Sequence, residues 1–281
     1  MSHVTPPEDA TASSPPPSAL PAKRVRVQHI ARAKAEGIPL TMLTAYDSLT
    51  APILEAAGVD MLLIGDSLGN VMLGHSSTLP VTLEDMERAT AAVARSTSRA
   101  MIIADLPFGT YEDTAEHAFA SAARLMKAGA HAVKLEGGQK RAHIISALVA
   151  AGIPVCAHLG YTPQSENTLG GPRMQGRGDG AQALRADAKA GAFALVLEMV
   201  PASVARQITQ AAVIPTIGIG AGPDTDGQVL VWSDMAGYSH WVPSFVHKFG
   251  QLGPALRDAA SDYVAAVRAR RFPGPDNYKN D

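Results

Sequence analysis

The sequence has little of several features that would decide the class of the protein at once. Its 281 residues include one cysteine, Cys156, so an internal disulfide is excluded and a reducing compartment is expected. No apolar run approaches the roughly 20 residues that a membrane-spanning helix needs, so we expect no membrane partner. The net charge of −2 is small, which gives no reason to expect nucleic acid as a partner.

The composition divides the chain into a tail and one domain. Residues 1–24 are rich in proline, serine and alanine and lack the basic start and apolar core of a secretory signal, so a disordered tail is predicted. Residues 25–281 are then predicted to form a single globular domain. The chain is 46% hydrophobic and 18% charged, which is typical of a globular protein with a sizeable core.

Eight short apolar runs alternate with alanine-rich segments of helical spacing. Repeated strand–helix units predict a parallel sheet in an α/β protein, and eight of them favour a closed (β/α)8 TIM barrel. An open doubly wound sheet is the alternative. The predicted strands are residues 40–44, 61–64, 100–104, 132–135, 154–158, 192–197, 214–217 and 228–232. The predicted helices include residues 29–36, 48–57, 83–96 and 115–128.

Carboxylates stand at the ends of several of these apolar runs. Asp66, Asp105, Glu136 and Glu198 each follow or close a predicted strand. The carboxyl ends of parallel strands share one face of the protein, so these acids should gather there. Gathering acids is unfavourable unless a cation or a proton neutralises them, which makes a metal-assisted site the leading hypothesis.

Other residues have both a functional and a structural interpretation. Lys134 and Glu136 lie two apart on a strand and should point to the same side, either toward a bound anion or as an ion pair with each other. Asp47 is either a site residue or the N-cap of the next helix. His158 either contacts substrate or supports the scaffold. The glycine-rich loop 217–223 resembles a phosphate cradle, but close backbone packing explains it equally well.

A hydrolase is a second functional class suggested by Gly65-Asp66-Ser67-Leu68. Hydrolases with this motif resemble one another also in a late Asp-x-x-His that supplies the base. No aspartate lies three residues before a histidine in this sequence, so Ser67 would be an unactivated hydroxyl. Cys156 lies within a predicted strand and is interpreted as a core residue.

A series of ordered motifs carries a specific resemblance. In chain order they are Leu-Thr-Ala-Tyr-Asp at 43–47, Gly-Asp-Ser-Leu-Gly at 65–69, Ala-Asp-Leu-Pro-Phe at 104–108, Lys-Leu-Glu-Gly-Gly at 134–138, Thr-Pro-Gln-Ser at 162–165, Gln-Gly-Arg at 175–177 and Asp-Gly-Gln at 226–228. From about residue 25 to residue 273 the chain resembles the ketopantoate hydroxymethyltransferase family. The resemblance implies a (β/α)8 barrel, a Mg²⁺ ion, a cytoplasmic setting and a ring-shaped homodecamer.

The resemblance also implies roles for individual residues. Asp66, Asp105 and Glu136 match the metal ligands of the family, and Asp66, Ser67, Asp105 and Lys134 match the positions that hold the 2-oxo acid. Glu198 matches the proton acceptor. The implied reaction transfers a hydroxymethyl group from 5,10-methylenetetrahydrofolate to 3-methyl-2-oxobutanoate and gives 2-dehydropantoate, in pantothenate biosynthesis.

Two further alternatives and one departure from the family are part of this interpretation. The chain could be a catalytically impaired relative that binds a 2-oxo acid, or a Mg²⁺-dependent 2-oxo-acid lyase, although such lyases resemble one another in a reactive loop cysteine. The family usually has a longer helix before Glu198, and residues 187–192 lead directly into the strand. We expect that shortening to lower thermal stability while Glu198 still faces the barrel mouth and Leu197 stays buried.

Overall fold

The computed structural model describes residue 20 and residues 23–177 and 191–279, and within them eight parallel strands close into one barrel in the order β1 to β8. The strands are β1 (Leu40–Thr44), β2 (Met61–Ile64), β3 (Met101–Asp105), β4 (Ala132–Glu136), β5 (Val155–Gly160), β6 (Ala194–Glu198), β7 (Thr216–Ile219) and β8 (Gly227–Leu230). The expected barrel is therefore confirmed, and the open sheet is wrong because β1 pairs with β8.

Helices follow most strands and cover the outside of the barrel. They are α1 (Val27–Glu36), α2 (Thr50–Ala56), α3 (Leu68–Val71), α4 (Leu83–Ser96), α5 (Ala115–Ala128), α6 (Ala142–Ala150), α7 (Glu166–Leu169), α8 (Ala202–Ala211), α9 (Trp232–Met235) and α10 (Leu252–Arg268). Short 3-10 turns lie at Gln139–Arg141, Pro163–Ser165 and Pro275–Asn277. In these described segments no helix is long and apolar enough to span a membrane.

Local sequence signals explain where the best-defined helices begin and end. The hydroxyl of Thr82 accepts from Asp85 N while the Asp85 carboxylate accepts from Thr82 N, a capping box that starts α4. The Thr114 hydroxyl accepts from His117 N at the start of α5, and Gly129 ends α5 in the left-handed conformation. Both helices match their predicted bounds because these signals are local.

The strands β2 to β7 contain no exposed residue, which explains why most of them are continuous apolar runs in the sequence. In β2, Met61 and Leu63 belong to the cluster inside the barrel, whereas Leu62 and Ile64 belong to the cluster beneath the helices. Because side chains alternate along a strand, one set of positions fills the barrel and the other anchors the helices. The inward positions near the carboxyl ends of the strands are then free to carry function.

Ion pairs close the opposite, amino-terminal face of the barrel. The Asp60 carboxylate accepts from Thr41 N at 3.0 Å and from Arg99 Nη2 at 3.1 Å. Asp226 accepts from Lys34 Nζ at 2.8 Å and from Thr216 N at 2.8 Å. These contacts tie the starts of strands to neighbouring segments, so we assign them to stability.

Several boundaries differ from the sequence prediction by one or two residues. The eighth strand ends at Leu230 instead of residue 232, because Trp232 begins α9, and the seventh begins two residues later than predicted. Ordered contacts also begin before residue 25, since Leu20 joins the inner core and Arg24 donates to Thr97 O and Ala100 O. The remainder of the predicted tail lies outside the described residues.

Candidate active site

Five ionisable side chains gather at the carboxyl ends of neighbouring strands. Asp66 follows β2, Asp105 and Glu136 close β3 and β4, His158 lies in β5, and Glu198 closes β6. The parallel register sets Glu136 opposite His158, which brings groups that are distant in sequence side by side. The barrel therefore brings the strand-end acids together, as the sequence predicts.

Lys134 forms a buried ion pair with Asp105. Lys134 Nζ lies 2.7 Å from Asp105 Oδ1, and the register pairs these two residues across β3 and β4. Burial raises the pKa of Asp105 to about 6, although Lys134 opposes that shift. Burial alone would lower the pKa of Lys134, but Asp105, Asp66 and Glu136 together hold it above its usual range. The alternative of an ion pair between Lys134 and Glu136 is wrong, since the ammonium pairs with Asp105.

Asp66 is held by a hydrogen bond from its backbone N–H and by Gln164, which lies in the 3-10 turn after β5. Asp66 N donates to Asp105 Oδ2 at 3.1 Å, which links the first two acids directly. Gln164 Nε2 donates to Asp66 Oδ2 at 2.9 Å and to Leu106 O at 3.0 Å. Gln164 N also donates to Glu136 Oε2 at 2.9 Å. One residue therefore touches two of the three predicted metal ligands.

His158 lies between the carboxylates of Glu136 and Glu198. Its Nδ1 is 3.4 Å from Glu136 Oε1 and its Nε2 is 3.2 Å from Glu198 Oε2. Neither contact has hydrogen-bond geometry, so the ring is held by charge. Burial and Lys134 would lower the pKa of His158, but Glu136 and Glu198 raise it to about 9, which favours an imidazolium at neutral pH. Burial raises the pKa of Glu136, and His158 partly offsets that shift.

Glu198 closes β6 in the orientation that the sequence predicts. Its side chain is 18% exposed, and Leu197 beside it is fully buried. Gly160 allows this arrangement because it has φ +97° and a Cβ there would lie 2.1 Å from Glu198 O. The shortened segment expected before Glu198 lies mostly outside the described residues, so its effect on stability stays a prediction.

Ser67 is bound to a tyrosine and not to a catalytic base. Its Oγ lies 2.8 Å from Tyr46 Oη. Burial raises the pKa of Tyr46 far above its usual range, and the hydrogen bond to Ser67 offsets this only in part. A protonated phenol cannot take the serine proton, so among the described residues Ser67 has no activating partner. This geometry disfavours the hydrolase.

For the remaining candidates, the contacts support the structural interpretation over the functional one. The Asp47 carboxylate accepts from Leu49 N and Thr50 N at the start of α2, as a cap does. Burial raises the pKa of Cys156 to about 12, so it is a core thiol. In the glycine-rich loop, a Cβ at position 220 would lie 2.9 Å from the Phe245 ring and one at position 222 would lie 2.5 Å from Ala202. Close packing against protein therefore explains that loop.

The three predicted metal ligands suit a hard cation in chemistry and charge. Asp66, Asp105 and Glu136 offer carboxylate oxygens, which Mg²⁺ prefers, and all three are at least 95% buried. The cations Lys134 and His158 do not balance the charge of these three acids and Glu198, and an added divalent cation would. In the described ranges, however, no three His, Cys, Asp or Glu side chains already converge in a metal-binding group. The donor set fits Mg²⁺, although the side chains are not drawn together around one point.

A groove of about 1400 Å³ opens beside the barrel mouth. Its lining includes Ser67 together with residues of α10 and of the segment before α10. The lining includes Asp234, Trp241, Lys248, Phe249 and Arg257. The groove combines exposed aromatic rings with cations, which suits a large aromatic anion better than a small acid.

Sequence reasoning missed two buried residues that organise the site. Tyr111 and Gln164 are 2% and 7% exposed, and Tyr111 Oη donates to Gln164 Oε1 at 2.6 Å. Gln164 lies in the Thr-Pro-Gln-Ser motif at 162–165, but neither residue carries a charge or stands at a strand end. The pattern of strand-end acids therefore could not reveal them.

Comparison with known proteins identifies the family. The model of the family described as ketopantoate hydroxymethyltransferase matches residues 24–275. A relative from Rhodococcus jostii named 3-methyl-2-oxobutanoate hydroxymethyltransferase is 51% identical over 276 residues, covering 96% of each chain. A relative of the same name from Thermobifida fusca is 56% identical over 257 residues, covering 89% of this chain and 92% of its own.

Solved structures of low sequence identity share the fold. One is 2,3-dimethylmalate lyase, a member of the PEP mutase/isocitrate lyase superfamily, with a TM-score of 0.56 and 19% identity over 90% of this chain and 91% of its own. Another is phosphonopyruvate hydrolase in complex with oxalate and Mg²⁺, with a TM-score of 0.58 and 16% identity over 89% of this chain and 92% of its own. These likenesses concern the barrel alone. The match of nearly the whole sequence, in contrast, shows that the chain belongs to the ketopantoate hydroxymethyltransferase family.

Proposed function

We propose that this chain is a one-carbon transferase that converts 3-methyl-2-oxobutanoate into 2-dehydropantoate with 5,10-methylenetetrahydrofolate as donor, in pantothenate biosynthesis. The observation that carries the proposal is the agreement with relatives of that name at 51% and 56% identity over most of both chains. The lyase of the alternative reading would need a reactive loop cysteine, and Cys156 is buried in β5.

The 2-oxo acid binds where Asp66, Ser67, Asp105 and Lys134 meet. Lys134 is protonated at neutral pH because three carboxylates raise its pKa, so it presents a fixed positive charge to an anionic substrate. The same charge stabilises the negative charge that develops on the keto oxygen when C3 loses its proton. Ser67, held by Tyr46, offers a hydroxyl to the substrate beside Asp66.

Asp66, Asp105 and Glu136 are the residues that would hold Mg²⁺. The bound ion supplies Lewis-acid polarisation of the substrate keto group. The support for this assignment is the oxygen donor set together with its unbalanced negative charge. Gln164 occupies one oxygen of Asp66 and one of Glu136, which leaves the other oxygen of Asp66 without a hydrogen bond from the described residues.

Glu198 is the proton acceptor. It removes the proton from C3 of the substrate, and the resulting carbanion attacks the methylene carbon of the folate. Tetrahydrofolate leaves, and one water supplies the hydroxyl oxygen of the product. His158 lies against Glu198 Oε2 on the side away from solvent, so it orients the base toward the mouth.

The groove beside the mouth is the entry for the folate donor. A pterin and an aminobenzoyl ring are flat and aromatic, and the glutamate of a folate is anionic. Trp241 and Phe249 are 78% and 71% exposed along the groove, and Lys248 and Arg257 line it as well. Ser67 in the lining places the donor close to the oxo acid.

The chain assembles as a homodecamer in the cytoplasm. No residue of α10 is buried, and its apolar side chains Tyr263, Val264 and Val267 are 58%, 41% and 42% exposed. Such a face is typical of one that a second copy covers. Light scattering should give ten times the 29.3 kDa chain mass, and a single-chain mass would contradict the assembly.

The reaction is tested by assaying 2-dehydropantoate formation from both substrates. Product should form with Mg²⁺, fall to background when EDTA is present, and require the folate. Calorimetric binding of the oxo acid with no product under any of these conditions would instead identify the catalytically impaired relative. Cleavage of a 2-oxo-acid substrate without folate would identify the lyase.

A further inference from the structure

A buried tyrosine and a buried glutamine link the carboxylates of the candidate site. Gln164 lies in the 3-10 turn Pro163–Ser165 just beyond β5, and Tyr111 precedes α5. Both residues are at least 93% buried. Neither carries the charge that metal binding or proton transfer in this reaction requires, so their place in the site calls for a different explanation.

The hydrogen bonds of the Gln164 side chain leave its amide a single orientation. Nε2 donates to Asp66 Oδ2 at 2.9 Å and to Leu106 O at 3.0 Å, so both amide protons are used. Oε1 accepts from Tyr111 Oη at 2.6 Å. A flipped amide would set its oxygen against a carboxylate and a carbonyl, and it would leave the tyrosine hydroxyl facing an NH₂ group.

Both ends of the network reach Glu136. Gln164 N donates to Glu136 Oε2 at 2.9 Å, and Glu136 N donates to Tyr111 Oη at 3.2 Å. The backbone and the side chain of Glu136 are therefore held by the same two residues. Asp66 and Glu136, which come from β2 and β4 respectively, are fixed relative to each other through Gln164.

We propose that the Tyr111–Gln164 pair is a positioning device that fixes Asp66 and Glu136 relative to each other for the binding of a divalent cation. The inference rests on the metal assignment of the proposed function. Groups that orient metal ligands through hydrogen bonds typically account for about 10- to 100-fold in metal affinity. The pair acts through Asp66 and Glu136, with which it forms hydrogen bonds.

The test is titration of the metal-stripped full-length protein with Mg²⁺ by calorimetry and with Mn²⁺ by electron paramagnetic resonance. Tyr111→Phe keeps the ring and removes the hydroxyl, so we expect both Kd values to rise about 10-fold or more. Turnover of Tyr111→Phe should return toward the wild-type kcat at saturating Mg²⁺. Gln164→Met, which keeps the backbone bond to Glu136 but loses the amide, should raise both Kd values similarly and serves if Tyr111→Phe folds poorly.

Tyr161→Phe is the matched control. Tyr161 follows β5, as Gln164 does, and is 7% exposed. Its hydroxyl donates to Glu166 Oε2 at 3.0 Å and, among the described residues, makes no hydrogen bond to Asp66, Asp105 or Glu136. Removal of the Tyr161 hydroxyl should leave the Kd values for Mg²⁺ and Mn²⁺ unchanged. Metal affinities of Tyr111→Phe and Gln164→Met equal to that of the wild type, with only a lower unfolding temperature, would overturn the positioning role. A wild type that binds neither ion would overturn the metal assignment itself, and this inference with it.

Discussion

Lys134 Nζ and Asp105 Oδ1 lie 2.7 Å apart inside the barrel, and each belongs to a strand that pairs directly with the other. Removing one partner of a buried ion pair leaves an uncompensated charge in the interior, which strongly destabilises the fold. The pair therefore serves the fold as well as the proposed substrate site, and the two roles can be separated by measurement.

Lys134→Met should destabilise the metal-free protein by about 3–5 kcal/mol, because it leaves the Asp105 charge buried without its partner. Lys134→Met/Asp105→Asn should recover part of that loss. Urea unfolding at pH 8 with EDTA measures both. The exposed pair Arg206–Asp224 provides the control, since Arg206→Met should cost less than about 1 kcal/mol. Strictly additive effects of the two buried substitutions would contradict the coupling.

Gly160→Ala should displace Glu198 as well as destabilise the fold. The new Cβ would lie 2.1 Å from Glu198 O, so the end of β6 must move. Gly152→Ala is the matched control, because Gly152 has φ +86° but open space around it, so it costs only the roughly 1–2 kcal/mol of a left-handed residue. We expect a larger loss of unfolding free energy for Gly160→Ala, and slower proton removal from the oxo acid. Equal effects of both variants would show that the close approach to Glu198 is unimportant.

His131 should make the fold sensitive to acid. Burial, with Arg24 and Arg26, lowers the pKa of His131 from 6.5 to about 4 in the native protein, where its Nδ1 accepts from Ile102 N. The unfolded chain binds the proton more readily, so this contribution to stability is complete above pH 6.5 and is lost as the pH falls toward 4. Unfolding midpoints across that range should fall less steeply for His131→Asn, which keeps an acceptor. His143 is exposed, so His143→Asn is the control and should keep the wild-type pH dependence of the unfolding midpoint. A pH dependence in His131→Asn as steep as that of the wild type would refute the assignment.

The folate groove can be tested apart from the oxo-acid site. Lys248→Glu replaces a groove cation by an anion, and Trp241→Ala removes an exposed ring, so each should raise the KM for methylenetetrahydrofolate about 10-fold. Neither should alter hydrogen exchange at C3 of the oxo acid, which needs no folate. The exposed Lys127 on α5 lies outside the groove, and Lys127→Glu should leave both quantities unchanged. An unchanged folate KM in both groove variants would place the donor elsewhere.

The sequence contained enough information for the barrel and for the gathering of its acids. Strand residues alternate between two buried faces, so apolar runs such as Met61–Ile64 were recognisable, and Asp105 and Glu136 close their strands where a parallel barrel collects them. These features follow from the two-residue alternation of side chains along a strand and from the order of strands and helices along the chain. Both can be read from the sequence.

The partners of these residues were not readable in the same way. Lys134 pairs with Asp105 because of the register between β3 and β4, and register between strands is set by the whole barrel. Tyr111 and Gln164 reach the site from connecting segments, whose path depends on packing. The loop 217–223 has the glycines of a ligand cradle, yet two of them pack against Phe245 and Ala202.

The most direct test concerns Glu198 as the base. In heavy water with Mg²⁺ and without folate, the protein should exchange the C3 hydrogen of 3-methyl-2-oxobutanoate, and nuclear magnetic resonance follows that exchange. Glu198→Gln keeps the size of the side chain and removes its basicity, so we predict exchange about 10² to 10⁴ times slower with oxo-acid binding retained. Exchange in Glu198→Gln as fast as in the wild type would contradict the account.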